Sequence, residues 1–528
     1  MPPPRALYQA YLALNQACLS GAAPEVLRLV KKEKKKGRLS SFIDEPDGFT
    51  GDTALAVSVR RGNVEVCEVL LEIGGADADS ATTGGTPLLL ACAKDSLPMA
   101  RCLVEKGGAD VNKASAYDGA TPLFACSSCG SPAVAQYLLS RGADVDKASV
   151  GGASPLYMSS QSGYHEVTRL LLAGGARADE AMAYDGSTPL IMSSQDGHLE
   201  IVKLLLAEGA RVDHAMNNGC TPLSLSSKHG HHEVVKLLLA NGANVNQVIL
   251  DGNTSLHMCS HGGHKEVVKL LLANGANANQ ANDNGTTPLL ATSQNGHLEA
   301  AKLLLANGAK VDQANYKEGC TPLIMCGQQG YQEVAKLLLA KGAKVDQANI
   351  NGDTPLAISC MHGRREVAKL LLASGAKVDQ ANNSFGVTPL ILSSSQGRLE
   401  MVKLLLANGA ELDLANSCGD TALDVSREMG RENVAELLLA HGRKVKRKKK
   451  KKNGEEGKEK VEGKAKRAAR VCEKCGKEAE KMKKCSACKL VRYCSEACQL
   501  EGWKEHKKSC KAAAAVASAG KGAEGKSC

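Results

Sequence analysis

Aromatic residues are scarce in this chain of 528 residues: Trp occurs once, Phe four times and Tyr ten times, an aromatic fraction of 3%. Three or four conventional globular domains would need more bulky side chains to fill their cores. Glycine, in contrast, is abundant, with 53 residues. This composition predicts a repeat protein built on small and aliphatic residues.

Long apolar runs are also missing. No uninterrupted apolar stretch approaches the roughly 20 residues that a membrane span requires, and the start, MPPPRALYQAYLALNQACLSG, lacks the apolar core of a secretory signal. Twelve of the 20 cysteines are scattered singly before residue 472, with no pairing framework, and are predicted to be reduced core thiols. These features predict a soluble, intracellular protein.

A tripeptide, Thr-Pro-Leu or a close variant, recurs through most of the chain at intervals of 33 to 35 residues. Its first residue lies at positions 53, 86, 121, 154, 188, 221, 254, 287, 321, 354, 388 and 421. Such a register indicates an array of about twelve structural repeats.

One repeat, GSTPLIMSSQDGHLEIVKLLLAEGARVD at 186–213, illustrates the local structure that each should form. Thr188 is placed to cap a helix, Pro189 to occupy its first turn, and Gly197 to end it. A second helix ends at Gly209 and carries an apolar face. That face comprises Ile201, Val202, Leu204, Leu205 and Leu206. Each repeat is therefore predicted to be a helix pair plus a turn-rich finger, and repeats must stack to bury their apolar faces.

This pattern resembles the ankyrin repeat over residues 51–445, and residues 1–50 contain a segment similar to a degenerate capping repeat. The resemblance implies an all-α repeat solenoid that binds protein partners with its fingertips and inner helix face. Two departures stand out. Only His257 occupies the usual histidine position, and Ser193 and Ser194 replace the usual Ala-Ala pair, with hydroxyls that can bond back to the preceding turn.

Four fingers are one residue longer than the others, and each carries an aromatic side chain. These residues are Tyr117, Tyr184, Tyr316 and Phe385. Exposed rings on rigid turns make good anchors for a protein partner. The alternative, in which each ring packs on its neighbouring finger, stays open at this point.

Two groups of cysteine and histidine within the array could be taken for metal sites. They are His257, Cys259, His261 and His264 in one repeat, and Cys126 and Cys129 in another. Since histidines recur at the same helix-turn junction in other repeats, the repeat pattern accounts for most of these residues, and we expect no metal there.

The window from 472 to 510 differs from the array in holding seven cysteines and a histidine. The eight candidate ligands are Cys472, Cys475, Cys485, Cys488, Cys494, Cys498, His506 and Cys510. Two pairs have the C-x2-C spacing of a zinc knuckle, and two are four residues apart, on one face of a helix. Since a structural zinc takes four ligands, the window predicts two Zn²⁺ ions, and spacing alone leaves three ways to divide the pairs.

This window resembles the MYND-type zinc finger throughout, including Y-C-x3-C-Q, W and H-x3-C. The resemblance implies an interleaved arrangement in which the first and third ligand pairs share one ion and the second and fourth pairs share the other. It also implies binding of Pro-x-Leu-x-Pro peptides through Ser486, Gln499 and Trp503. The alternative that Trp503 forms the core of a very small domain stays open.

Charge is unevenly distributed. Residues 443–528 have a net charge of +17, whereas residues 1–442 have a net charge of −7. The basic segment 446–471 is predicted to be a disordered linker, and 511–528 a disordered tail. The run from Lys446 to Lys452 is consistent with a nuclear import signal, with nonspecific nucleic-acid contact, or with a solvated tether.

The function that these features favour is a non-enzymatic scaffold, in the nucleus, the cytoplasm or both, with transcriptional regulation as one setting. The array would bind one protein and the finger a second. One alternative is a nucleic-acid or chromatin-associated factor acting through the basic linker, and another is a ubiquitin-transfer cofactor, because RING fingers share interleaved zinc. Some MYND fingers sit within SET-type methyltransferases, but the repeats leave no room for such a catalytic domain.

Overall fold

The computed structural model describes residues 5–41, 43–46, 51–82, 84–452, 483–484 and 492–493. These residues form 26 α-helices, a few short 3-10 or π segments and one pair of two-residue strands, so the predicted all-α fold class is confirmed. They divide into two compact units. Unit 1 comprises Met1–Cys259 and Lys269–Ala276, and unit 2 comprises Ser260–Val268 and Asn277–Cys528.

Unit 1 contains seven helix pairs. Their helices are α1 (Arg5–Ser20), α2 (Ala23–Lys35), α3 (Ala54–Arg61), α4 (Val64–Glu68), α5 (Pro87–Ala93), α6 (Leu97–Glu105), α7 (Pro122–Cys129), α8 (Pro132–Ser140), α9 (Pro155–Ser162), α10 (His165–Ala173), α11 (Pro189–Asp196), α12 (Leu199–Ala207), α13 (Pro222–His229) and α14 (His232–Ala240). Helix α4 continues as a π-helical segment, Val69–Gly74, and 3-10 turns lie at Leu39–Ser41 and Leu250–Gly252.

The next pair, α15 (Ser255–Gly262) and α16 (Lys265–Ala273), contributes residues to both units. Unit 2 continues with five pairs and a short antiparallel strand pair. These elements are α17 (Pro288–Asn295), α18 (Leu298–Ala306), α19 (Pro322–Gln329), α20 (Gln332–Ala340), α21 (Pro355–His362), α22 (Arg365–Ala373), α23 (Pro389–Ser395), α24 (Leu399–Ala407), α25 (Ala422–Glu428), α26 (Glu432–Lys452), β1 (Lys483–Lys484) and β2 (Arg492–Tyr493).

The first helix of each repeat begins and ends where the sequence predicts. Thr188 precedes α11 in extended conformation, and its hydroxyl accepts a hydrogen bond from the backbone N–H of Ile191 at 3.4 Å. Pro189 lies in the first turn, and Gly197 follows the helix with a φ of 78°, which a residue with a Cβ adopts only with strain. The roles assigned to these three residues are confirmed.

The second helices supply much of the aliphatic core. In α12, Ile201, Val202 and Leu205 are fully buried, whereas Leu204 and Leu206 are half-buried. The predicted apolar face is therefore present, and its two outer leucines lie at its edges. Because the repeats bury mainly leucine, valine and alanine, with few rings such as Tyr137 and Tyr157, the low aromatic content is compatible with an aliphatic core in each unit.

The serine pairs of the first helices behave unequally. Ser193 is buried, and its hydroxyl donates to the carbonyl of Leu190 at 3.2 Å, as predicted. The hydroxyl of Ser194 is also buried but has no hydrogen-bond partner, and the same holds for the equivalent Ser160 and Ser227. At these three serines the predicted bond to the preceding turn is absent, so small volume explains the residue. Ser127 and Ser293, at the same position of other repeats, do make the bond and donate to the carbonyls of Leu123 and Leu289.

The basic linker begins differently from the prediction. Helix α26 runs to Lys452, so residues 446–452, predicted to start a disordered segment, are helical. Lysine and arginine have good helix propensity, and extending an existing helix avoids the cost of nucleation. The rest of that predicted linker and the predicted tail at 511–528 lie outside the described residues.

Candidate protein-interaction surface

The fingers that join successive helix pairs are held by two sets of hydrogen bonds. In the first set, a backbone N–H at several fingertips donates to a carbonyl of the preceding finger. Val150 donates to Asp118 at 2.8 Å in unit 1, and Tyr316 donates to Asn284 at 2.9 Å in unit 2. These bonds fix the tips relative to one another along each unit, which makes them a pre-organised surface.

The second set uses side-chain oxygens of Asp or Asn. The Asn112 side chain accepts from the backbone N–H of Asp144 at 2.7 Å, and the Asp179 side chain accepts from that of Arg211 at 2.8 Å. The same bond recurs in unit 2, for example from Lys310 to the Asn279 side chain at 2.7 Å. Because donor and acceptor are 31 or 32 residues apart, each bond ties one repeat to the next.

Three of the four predicted contact aromatics are strongly exposed. The exposed fraction is 93% for Tyr117, 89% for Tyr184 and 71% for Tyr316. Phe385 is half-buried, and its carbonyl accepts from the backbone N–H of Ser417, so its ring is a weaker candidate for a contact anchor. The rings of these three tyrosines are therefore accessible on the surface.

The same fingertip position carries further exposed apolar side chains that sequence reasoning missed. Val150 is 82% exposed, Leu250 61% and Ile350 64%. These residues lie on fingers of ordinary length and are not aromatic, so neither feature used for the prediction selected them. An alignment of the repeats identifies them. Val150 and Ile350 both lie two residues before a finger glycine and four residues after an Asp whose side chain accepts a hydrogen bond from the next repeat.

A second recurring position lies at the turn between the two helices of a pair, at the end opposite the finger. In unit 1, the Tyr164 ring covers Gly130 of the preceding repeat, and the His198 ring covers Gly163. The Nε2 atom of His198 lies 3.0 Å from the carbonyl oxygen of Gln161. We call this recurring position the turn ladder. Its described members are Tyr164, His198, His231, His297, Tyr331, Arg364, Arg398 and Arg431.

Most histidines of the suspected array cluster have structural roles. The Nδ1 atom of buried His257 accepts from the backbone N–H of Thr254 at 3.1 Å, which helps to cap α15. The carbonyl of His261 accepts from the turn-ladder ring of His297 at 2.9 Å. Within the described residues, no group of three or more His, Cys, Asp or Glu side chains is arranged to hold a metal ion.

The array thiols are almost all interior. Eleven of the twelve described cysteines are buried thiols outside any disulfide, as predicted, and Cys129 alone among them is exposed. Burial raises the pKa of Cys18, Cys326 and Cys360 to about 12, so these thiols stay protonated near neutral pH. Cys126 is buried, whereas Cys129 faces solvent.

The predicted zinc ligands lie outside the described residues, as do Ser486, Gln499 and Trp503. Strands β1 and β2 pair antiparallel between them, with Lys483 opposite Tyr493 and Lys484 opposite Arg492. In the chain, Cys485 and Cys488 fall in the connection between these strands, and Cys494 directly follows β2. Seven thiols and one imidazole are the soft donor set that structural zinc prefers, so the residues present fit zinc.

Comparison with known proteins identifies both regions. A model of ankyrin repeats in three copies matches residues 14–115, 75–149, 108–182, 156–249, 244–315, 310–382 and 378–449. The MYND finger model matches residues 472–510. Because the repeat matches together span more than half of the chain, the chain belongs to the ankyrin-repeat family, and it carries a C-terminal MYND-type zinc finger.

Among solved structures, the chain is similar to the human ASB11 ankyrin repeat domain. The two are 32% identical, and the match covers 42% of this chain and 98% of the ASB11 chain, with a TM-score of 0.39. The search of curated proteins gave no match.

Both ankyrin repeats and MYND fingers are in general protein-interaction modules, and MYND fingers bind zinc. No described helix is long and apolar enough to cross a membrane.

Proposed function

We propose that this protein is a non-enzymatic, intracellular scaffold whose ankyrin array binds one protein while its MYND finger binds a proline-containing segment of a second. The observation that carries the proposal is the presence of two interaction modules in one chain, separated by about 20 residues. Linking two modules raises the effective concentration of one partner near the other, so modest separate affinities suffice.

For the array, the proposed contact surface is the row of exposed fingertip side chains in each unit. Tyr117, Val150 and Tyr184 lie on three successive fingers of unit 1, whose backbones are hydrogen-bonded to their neighbours. Large apolar groups on a rigid backbone lose little conformational entropy on binding, and rings of this kind are frequent hot spots.

For the finger, we propose two structural zinc ions with the interleaved ligand sets, and a peptide groove formed by Ser486, Gln499 and Trp503. A Trp edge stacks well on proline, and Gln hydrogen-bonds an extended peptide backbone. Only 39 residues enclose the metal, with few apolar side chains, so folding of this region should depend on zinc.

Native mass spectrometry of the full chain tests the metal assignment and should find two zinc ions. A fluorescein-labelled Pro-x-Leu-x-Pro peptide should bind the zinc-loaded chain and lose at least tenfold in affinity after Trp503→Ala. Chelation should abolish peptide binding while the helical circular dichroism of the array persists. Peptide affinity unchanged by Trp503→Ala would exclude the proposed groove.

A matched pair of variants tests the array. Replacing Tyr117, Tyr184 and Tyr316 together by Ser should release a protein captured by the array without changing peptide binding by the finger. Val248→Ser, at a half-exposed finger position away from the tips, is the control and should change neither. If captured proteins stay bound to the triple variant, the fingertips are not the contact surface.

The alternative of nucleic-acid contact through the basic segment has one structural feature in its favour, the continuation of α26 through Lys452. A clustered cationic helix would give binding that falls steeply with salt concentration. Deleting residues 446–452 should then remove all binding to a random DNA duplex, and the scaffold proposal predicts that such binding is weak from the start.

A further inference from the structure

Three consecutive turn-ladder positions in unit 2 are arginines without an acidic partner. They are Arg364, Arg398 and Arg431. Ion pairs nearby use other side chains: Arg365 lies 3.8 Å from Glu400, and Lys369 lies 2.9 Å from Glu366. Among the ion pairs of the described residues, none involves the three ladder arginines.

Each guanidinium is held in place by a backbone carbonyl of the preceding repeat. The Nε of Arg364 donates to Gln328 at 2.9 Å, and that of Arg398 donates to Met361 at 3.2 Å. Arg431 donates in the same way to the carbonyl of Ser395 at 3.3 Å. This bond uses one of the five N–H donors of each guanidinium and leaves the outer nitrogens available for a ligand.

Glycine makes this arrangement possible. The Arg364 side chain lies against Gly330, where a Cβ would come within 2.9 Å of its Cδ, and Arg431 lies against Gly397, where the distance would be 2.8 Å. A flat, fixed guanidinium loses less entropy on binding than a free one, so the arginines are prepared to bind an anion.

The row carries a charge that its own surroundings do not neutralise. Burial and the positive charge of Arg364 lower the pKa of Arg398, although it stays protonated at any physiological pH. Two carboxylates at the start of the second helices pair with lysines instead: Glu400 lies 2.7 Å from Lys403 and Glu366 lies 2.9 Å from Lys369. Like charges held together without compensation favour an anionic partner.

We propose that Arg364, Arg398 and Arg431 form a docking row for an acidic, extended segment of a partner protein, with one carboxylate meeting each guanidinium. The inference rests on the proposed function of the array as a protein-binding module and specifies the chemistry of one partner. Guanidinium and carboxylate match in geometry, and two parallel hydrogen bonds per pair give both affinity and register.

The distance between neighbouring arginines determines how far apart the acidic residues of the bound segment must be. Helices of adjacent repeats pack about 8–10 Å apart, and three residues of a segment in the extended polyproline II conformation rise about 9 Å and return to the same face. Glutamate at every third position would therefore place one carboxylate on each arginine. Exposed Glu366, Glu400 and Glu432, which lie in the first turn of each second helix, interrupt the row. They therefore disfavour a continuous phosphate backbone more than a segment whose charges are confined to every third residue.

The test uses the full, zinc-loaded chain and a fluorescein-labelled peptide with glutamate at every third position, separated by serine and proline. Because histidine already fills other turn-ladder positions, Arg364→His, Arg398→His and Arg431→His together keep a ladder hydrogen bond and remove the charge above about pH 8. We expect the peptide to bind the natural chain and to lose at least tenfold in affinity in this triple variant.

The matched control removes the same charge elsewhere in unit 2. Lys310→Gln, Lys336→Gln and Lys344→Gln alter three exposed lysines and should leave peptide affinity unchanged. Equal losses in both triple variants would mean that only net charge matters, and absence of peptide binding to the natural chain would equally overturn the docking row.

Two further measurements separate the possible partners. A peptide with glutamine in place of glutamate should not bind, and a single-stranded DNA of similar length should bind more weakly than the acidic peptide. DNA binding that is tighter and lost in the histidine variant would overturn the proposal in favour of nucleic acid. If a partner protein bound the histidine variant through the fingertips with the same affinity as it binds the natural chain, that result would refute the docking row and would leave the proposed scaffold function intact.

Discussion

Two stretches of the array fill the same turn-ladder position differently. From Tyr164 to Tyr331, the described positions carry a tyrosine or histidine ring, whereas the last three carry arginine. Both kinds of side chain cover a glycine of the preceding repeat and meet a carbonyl two residues before that glycine, as His198 and Arg364 do. We call these stretches the ring repeats and the arginine repeats.

The comparison shows that the charge of the turn-ladder residue can change while its packing on the preceding repeat stays the same. An imidazole or a guanidinium bonds the same carbonyl, as His198, His297 and Arg364 show. The position therefore tolerates a change from a neutral to a cationic side chain without a change of fold. Because stability of stacked repeats comes mainly from buried aliphatic contacts between neighbours, the turn ladder is available to define what each stretch binds.

The largest expected effect is a loss of stability, and it should be similar in the ring repeats and the arginine repeats. Leu205 in the ring repeats and Leu371 in the arginine repeats are both fully buried. Each Leu→Ala change should cost about 2–5 kcal/mol, because the lost apolar contact leaves a cavity. Hydrogen exchange should place the loss in the mutated repeat and its neighbours, and urea unfolding followed by circular dichroism should give its size.

Half-buried Leu204 provides the control, and Leu204→Ala should cost clearly less than Leu205→Ala. If Leu371→Ala were nearly neutral while Leu205→Ala was not, the two stretches would differ in core stability and the comparison would fail.

A stabilising change is expected at the buried serines. Ser160, Ser194 and Ser227 in the ring repeats have buried hydroxyls without a partner. Serine to alanine at each should stabilise the array by about 1 kcal/mol, because an unsatisfied hydroxyl is removed and alanine favours the helix. The same measurement on Ser193→Ala, whose hydroxyl bonds Leu190, should show no gain.

Acidification should weaken both stretches, by a smaller amount. Burial lowers the pKa of His231 in the ring repeats, and burial together with Arg364 and Arg398 lowers the pKa of His362 in the arginine repeats. The unfolded imidazoles, with pKa values near 6.5, then bind more protons than the folded ones. Stability is therefore complete above this value and falls as pH drops below it.

Thermal unfolding midpoints between about pH 8 and 5 measure this effect. His362→Gln should flatten the profile in the arginine repeats and His231→Gln should do so in the ring repeats. A midpoint that rises on acidification would contradict neutral burial of these imidazoles.

The smallest effect on stability is expected from exchanging the ladder residues themselves. Arg364→His should change the free energy of unfolding by less than about 1 kcal/mol, because the carbonyl of Gln328 keeps a donor and the exposed charge contributes little. Urea unfolding checks this value. A loss of several kcal/mol would mean that the arginines are structural, and that surface charge is not their main role.

The sequence was sufficient to predict the helix pairs, because Thr188, Pro189 and Gly197 mark the ends of a helix through local chemistry alone. It was also sufficient for exposed Tyr117 and Tyr184, which an inserted residue and an aromatic ring made visible. The exposed Val150 could not be singled out locally, since valine is common in cores and only its repeat register places it at a tip.

Other features depend on contacts between repeats. The role of Arg364 follows from Gly330 and Gln328, which lie in the preceding repeat. The missing partner of Ser194 depends on side-chain geometry that composition does not specify. The helical continuation of α26 was missed because a run of lysines was interpreted by its charge and not by its helix propensity.

The separation of fold from surface charge is tested most directly by moving the docking row. In a chain whose three ladder arginines are histidines, Tyr164→Arg, His198→Arg and His231→Arg would place arginines on three consecutive ring repeats, where Glu200 is likewise paired with Lys203 at 2.7 Å. We predict that fluorescence anisotropy will show the acidic peptide bound again, within about tenfold of its original affinity. A folded variant that still fails to bind the peptide would contradict the claim that ladder position and charge alone define the site.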